Sequence, residues 1–205
     1  MSWKDEQHFE SDWWGNCINT FWEETKQLVY AKKMGLKYDM FMGKYPVIDL
    51  KSISVLDIGG GPVSMLLKCI NLSLGAVVDP CDYPKWIDAR YEEAKIEYIR
   101  AKGEDVISKM DDPIFDEVWI YNVLQHVDDP KLIIENSKKV SKIIRIFEWI
   151  DNGVSPGHPH DLKEEKLNTW LGGIGKVEQL NESGCHGKAY YGRFRGSHYD
   201  VKIIM

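Results

Sequence analysis

Residues 53–64 read Ile-Ser-Val-Leu-Asp-Ile-Gly-Gly-Gly-Pro-Val-Ser. An apolar, β-branched run (Ile53, Val55, Leu56, Ile58) ends in three glycines, and Pro62 with the apolar Val63, Met65, Leu66 and Leu67 follows. The pattern predicts a buried strand, a tight turn and a helix start. Glycine lets the backbone take φ > 0 and come close to a ligand. Proline suits the first helical position, where its missing N–H costs nothing. A helix starting there presents unpaired N–H groups and a partial positive charge. In α/β proteins such a turn is a nucleotide or nucleoside site.

About twenty residues on, Ala76-Val77-Val78-Asp79-Pro80 reads as a second short strand ending in an acid. A carboxylate at the tip of the neighbouring parallel strand can accept both ribose hydroxyls. The kind of nucleoside follows from the turn. A dinucleotide fingerprint needs G-x-G-x-x-G/A, but the sixth position here is Ser64. Asp57, just ahead of the glycines, would repel a pyrophosphate and suit a cation. These residues favour a cationic, phosphate-free ligand, which S-adenosylmethionine is, over NAD.

From here the chain resembles the class I S-adenosylmethionine-dependent methyltransferases. Val55 to Pro62 is similar to their first motif and Val78-Asp79-Pro80 to the second. Gly103-Glu104-Asp105 is similar to the stretch that borders the adenine, and Phe115 to Val127 to the fourth motif with its following helix. The motifs stand in family order over roughly residues 53–150. The resemblance implies S-adenosyl-L-methionine as cofactor, with S-adenosyl-L-homocysteine as product and no metal. It implies that Asp57, Gly59, Gly60 and Gly61 hold the methionine part, Asp79 and Pro80 the ribose, and Gly103, Glu104 and Asp105 the adenine. Asn122, Val123 and His126 border the cofactor from the fourth motif. The sequence departs from the family at Val63-Ser64. Two other readings stay open: a silent binder of the cofactor, and an NAD-dependent oxidoreductase.

Strand-like runs at 53–58, 75–79, 96–99, 116–121 and 143–148 alternate with helical patterns at 62–72, 84–94, 103–110 and 129–140, and a helix follows at 161–171. The alternation predicts an α/β, doubly wound, mostly parallel sheet. The resemblance makes it Rossmann-like and seven-stranded. An antiparallel C-terminal edge hairpin is expected from 188–195 and 198–204 around Gly196-Ser197. Residues 1–45 read as helical and aromatic, with Gly35 as a helix stop. The division expected is an N-terminal helical lid at 1–50 and the cofactor-binding domain at 51–205.

The chain has 205 residues, enough for one full core. Its net charge of -6 and lack of a basic run disfavour nucleic acid, though Arg193 and Arg195 leave a local patch open. A small-molecule acceptor is therefore expected. Four widely spaced cysteines read as reduced thiols of a cytoplasmic protein. No stretch is long and apolar enough to span a membrane, and the acidic N-terminus does not read as a signal peptide.

Methyl transfer is an in-line displacement, so the protein mainly has to align nucleophile and methyl. A base is needed only where the nucleophile carries a proton of high pKa. Three groups could shape the acceptor site. His158 and His160, in Gly157-His158-Pro159-His160-Asp161, could act as base or bind an acceptor oxygen. The plain alternative is a turn whose Asp161 or His160 caps the next helix; His-x-His with Asp could also hold a metal. Asn122, at the end of the fourth strand, could position the acceptor. Trp13, Trp14 and Asn16 could cover the site, against the alternative that the tryptophans only pack on the sheet. Tyr190 and Tyr191 read as packing residues.

Overall fold

The computed structural model describes residues 8, 12–14, 17–109 and 115–197. Asn16 and residues 198–204 of the expected hairpin lie outside them.

Strand β3 (Ser54–Ile58) is the centre of the molecule. Val55, Leu56, Asp57 and Ile58 are all buried, so the strand is covered on both faces, as its unbroken apolar pattern predicts. Around it lie β5 (Leu74–Val78), β6 (Ile96–Ile99), β7 (Phe115–Tyr121), β8 (Ser141–Ile150), β9 (Lys176–Glu182) and β10 (Cys185–Arg195). Together they form a seven-stranded sheet of order β6-β5-β3-β7-β8-β10-β9. β6, β5, β3, β7 and β8 run parallel, and β10 and β9 are antiparallel at the edge. The chain leaves β3 toward β5 and β6, then returns to the other side at β7. Strand order thus reverses beside β3, and a ligand crevice opens at the carboxyl ends there.

Helices cover both faces. On one, α1 (Cys17–Lys33) sets Val29, Tyr30 and Ala31 against Val77, Trp119 and Phe147, with α2 (Trp86–Glu93) beside it. On the other, α3 (Pro130–Val140) and α4 (Glu164–Leu171) set Ile133, Ile134, Leu167 and Leu171 against Leu56, Ile58, Ile120, Ile144 and Ile146. α3 begins as its sequence asks, with Pro130 in the first turn and the Asp129 carboxylate accepting the Leu132 N–H at 3.0 Å. Among the described residues, no helix is long and apolar enough to cross a membrane.

Gly35 does stop α1. At φ +77° its N–H donates to the Lys32 carbonyl, and Leu36 N–H to that of Ala31, closing the helix end. The helical reading of 1–45 fails beyond it. The chain instead makes β1 (Asp39–Phe41) and β2 (Tyr45–Asp49), turned at Met42 and Gly43, both at positive φ, and extended by β4 (Cys69–Ile70).

The helix expected over 62–72 is two 3₁₀ turns, Gly61–Val63 and Met65–Lys68. The reason is competition for the backbone. Ser64 Oγ takes the Leu66 N–H, Tyr91 Oη takes the Ser64 N–H, and Tyr121 Oη takes the Met65 N–H. The helix over 103–110 is likewise 3₁₀, Gly103–Lys109. The edge hairpin exists, but its strands are β9 and β10. Ser183 and Gly184, both at positive φ, join Glu182 to Cys185 in a two-residue turn. Residues 188–195 therefore pair with 176–179 and with β8.

Candidate functional site

A cavity of about 670 Å³ opens at the carboxyl ends of β3, β5, β7 and β8. Its floor is the glycine turn. Gly59 lies at φ +72°, and a Cβ there would come 2.1 Å from Val123 Cγ2, so only glycine fits. Asp79, 5% exposed, projects from the end of β5. Its Oδ2 accepts the Gly61 N–H at 3.0 Å and its Oδ1 the Cys81 N–H at 2.9 Å. The carboxylate thus fixes the turn and faces the cavity at once.

Asp57 does not reach the cavity. It is fully buried behind the turn, where its Oδ2 accepts from Ser64 Oγ and, at 2.6 Å, from Tyr121 Oη. Burial, with a smaller push from Asp79, raises its carboxyl to about 7 against the pull of those two hydroxyls. Its role is to hold the turn. Three backbone donors of the turn are engaged inside the protein: the N–H groups of Gly61, Ser64 and Met65 go to Asp79, Tyr91 and Tyr121.

Gly103 lines the cavity wall, and a Cβ there would meet Ile58 and Ile133 at 2.9 Å. Glu104 lines the wall beside it while its Oε1 accepts the Asp128 and Asp129 N–H groups at 3.0 Å. Asp105 is exposed and outside the lining; Gly60 and Gly61 are buried and also outside it, and Pro80 is part of it. After β7, Asn122 turns at φ +54°, a conformation that asparagine tolerates. Its Oδ1 accepts from Gln125 Nε2 at 3.1 Å. Asn122, Val123 and His126 all line the cavity.

The turn at Asn122 rests on a residue that sequence reading missed. Glu148, buried in β8, accepts the Val123 and Leu124 N–H groups on Oε1 at 3.0 and 3.1 Å. Its Oε2 has no hydrogen-bond partner among the described residues. Burial raises this carboxyl to about 7, opposed by the two N–H groups and by His126. An acid inside the run Ile143-Ile-Arg-Ile-Phe-Glu148-Trp-Ile was the signal for it.

The rest of the lining comes from β8, the loop after it, α1 and the β9–β10 turn. His158 lines the cavity, its Nδ1 3.0 Å from Ser155 Oγ and its ring centroid 4.5 Å from that of His126. His126 Nδ1 lies 2.7 Å from the Gly157 carbonyl, which ties the two segments together. His160 is not in the lining; its Nε2 lies 2.7 Å from the Val127 carbonyl. Asp161 does not cap α4. It accepts the Gly153 N–H at 3.1 Å and pairs with Lys163, and α4 begins at Glu164. Trp13 and Trp14 line the cavity; Trp14 Cζ2 lies 3.7 Å from a Cβ placed on Gly61. Tyr190 packs in the core, and Tyr191 stacks on Phe147. Glu23, Lys26, Trp149 and His186 also face the cavity, and no local motif announced them.

The site suits S-adenosylmethionine: Gly59 at its floor and the strand-end carboxylate of Asp79 facing the cavity. Comparison with known proteins agrees. Residues 56–143, somewhat under half of the chain, match the family model described as a methyltransferase domain. No curated protein matches in sequence. Solved structures share the fold at low identity. One is the Burkholderia thailandensis 1,6-didemethyltoxoflavin-N1-methyltransferase with bound 1,6-didemethyltoxoflavin and S-adenosylhomocysteine. It is 14% identical, with 94% of this chain and 87% of that chain covered and a TM-score of 0.62. A SAM-dependent methyltransferase from Thermotoga maritima is 12% identical, with 94% and 98% covered and a TM-score of 0.59. The N-methyltransferase NodS of Bradyrhizobium japonicum is 14% identical, with 84% and 97% covered and a TM-score of 0.57.

Proposed function

We propose that the chain, which matches a methyltransferase domain over residues 56–143 and shares its fold with S-adenosylmethionine-dependent methyltransferases, is a class I enzyme of that kind and methylates a small molecule. The observation that carries this is the cavity. At about 670 Å³ it lies in the range of small-molecule sites, with room for a cofactor and a compact acceptor. The Burkholderia thailandensis methyltransferase of the same fold has 1,6-didemethyltoxoflavin and S-adenosylhomocysteine bound, which supports the same reading.

S-adenosylmethionine, when bound, supplies the activated methyl group. Asp79 accepts the ribose hydroxyls, with Pro80 beside it. Gly103 and Glu104 border the adenine. Gly59 gives the methionine part its floor, while Asp57 and Glu148 act from behind by fixing the turns at Gly59–Gly61 and Asn122–Leu124. His126 closes the cofactor side. Asn122 and His158 meet the acceptor, His158 taking a proton from acceptors that hold one tightly. Residues 1–50 serve as the cover, through Trp13 and Trp14, over a cofactor domain at 51–205. A cytoplasmic location fits the reduced cysteines.

The test is transfer of a labelled methyl group from S-adenosylmethionine into a small-molecule extract. Labelled product from the wild-type protein and none from Asp79→Ala is the expected result. Cofactor binding without transfer to any small molecule would favour a silent binder. Transfer only to protein or nucleic acid would contradict the small acceptor.

A further inference from the structure

A second cleft, of about 380 Å³, opens beside the Gly61–Val63 turn, and none of its described lining residues lines the larger cavity. Its charged groups come from three elements: Glu24 on α1, Lys68 at the end of the second 3₁₀ turn, and Arg90 on α2. The first turn brings the two cations together. Arg90 Nη1 donates to the Pro62 carbonyl at 3.2 Å. Gln27 Nε2 donates to the adjacent Val63 carbonyl at 2.6 Å, and Lys68 Nζ donates to Gln27 Oε1 at 2.7 Å.

With two cations against one carboxylate, the lining is positive on a chain whose net charge is -6. The Lys68 side chain is 16% exposed and pairs with Glu24 Oε2 at 3.7 Å, so its charge is already answered. Arg90 has no carboxylate partner among the described residues; beyond the bond to Pro62, its guanidinium lies 5.9 Å from the Trp86 ring. Burial lowers the Lys68 ammonium, Glu24 opposes this, and Arg90 pushes it down further. The two cations thus repel one another, and an anion between them relieves both.

A guanidinium presents paired N–H donors that match a carboxylate in two-point contact. The same lining includes Pro46, Val47 and Leu67, and its size is that of a small-molecule site. A monoanion balances the single excess charge, whereas a phosphate dianion overshoots it.

We propose that this cleft is a second binding site, taking a small monocarboxylate with an apolar body. The carboxylate lies on Arg90, and the body lies against Pro46, Val47 and Leu67. Lys68, held by Gln27, adds to the positive field.

The test follows backbone amide NMR signals of the full chain during titration with hydrocinnamate, its neutral amide and phenethyl phosphate. Hydrocinnamate should shift the signals of Val47, Leu67, Lys68 and Arg90. It should bind about tenfold or more tighter than the amide, the worth of one charge-assisted hydrogen bond. Arg90→Gln keeps a donor for the Pro62 carbonyl but removes the charge, which leaves Lys68 balanced by Glu24, and it should erase that preference. Shifts confined to the larger cavity, no binding, equal affinities for acid and amide, a preference that survives in Arg90→Gln, or tighter binding of the phosphate would each overturn the proposal. The matched ligands on the wild-type chain decide even where the variant does not fold. The cofactor assignment stands or falls separately, since it is read at the larger cavity.

Discussion

The two ends of the cavity are built by different means. The part proposed to hold the cofactor is made of backbone: the Gly59–Gly61 and Asn122–Leu124 turns, each pinned by a buried carboxylate behind it, with Asp79 bridging Gly61 and Cys81. The part proposed to meet the acceptor is made of side chains brought from α1, the end of β8, the loop at 151–163 and the β9–β10 turn. A backbone site tolerates few substitutions, because a single Cβ closes it. A side-chain site can change its ligand without disturbing the fold. Substitutions should therefore separate the two ends cleanly.

The largest contrast lies between two glycines of similar φ. Gly59→Ala puts a Cβ 2.1 Å from Val123 at the cavity floor, and should cost more than about 3 kcal/mol in denaturant unfolding together with cofactor binding. Gly184→Ala meets nothing closer than 3.7 Å, so only the strain of φ +78° remains, about 1 kcal/mol. Cofactor affinity in that variant should stay intact. Similar losses at both positions would erase the distinction.

The two buried carboxylates give a pH signature to the cofactor end. Asp57 and Glu148 titrate near 7 in the fold, above their unfolded values, so the folded chain holds more protons than the unfolded chain between about pH 4 and 7. Stability contributed by these groups falls as pH rises through that window, on the order of 1 kcal/mol per pH unit for each. Asp116, Asp151 and Asp161 are held below the usual range by hydrogen bonds and lysine partners, and their contribution is lost only at lower pH. Unfolding followed from pH 4.5 to 7.5 should show falling stability, and Glu148→Gln should flatten it. A rise across that window would contradict the assignment.

The smallest effect is expected at the acceptor end. Trp149→Ala should weaken acceptor binding about tenfold, consistent with loss of one aromatic contact. S-adenosylhomocysteine affinity should hold within about twofold. Equal losses of both ligands would merge the two ends into one.

The same division decides what was legible in the sequence. The glycine turn, Asp79 and the strand–helix alternation are local patterns, and the sheet of seven strands follows them. Asp57 was visible as a residue, but its direction was not. One carboxylate serves equally well in front of a turn or behind it, and Tyr121, 64 residues away, settles the matter. The helix over 62–72 failed for the same reason, since the phenols of Tyr91 and Tyr121 come from distant elements. Glu23, Lys26, Trp149 and His186 share no motif, and only the packing of α1 and β10 on β8 brings them to one cavity. The β9–β10 turn was missed although Glu182-Ser183-Gly184-Cys185 carries a turn signal.

The most direct test is calorimetric titration of S-adenosylhomocysteine, with NAD as control, into the wild-type chain, Asp79→Ala and His158→Ala. The account predicts binding by wild type and His158→Ala, a loss on the order of a hundredfold in Asp79→Ala, and no measurable NAD binding. Tighter binding of NAD, or S-adenosylhomocysteine affinity that ignores Asp79 and follows His158, would contradict it.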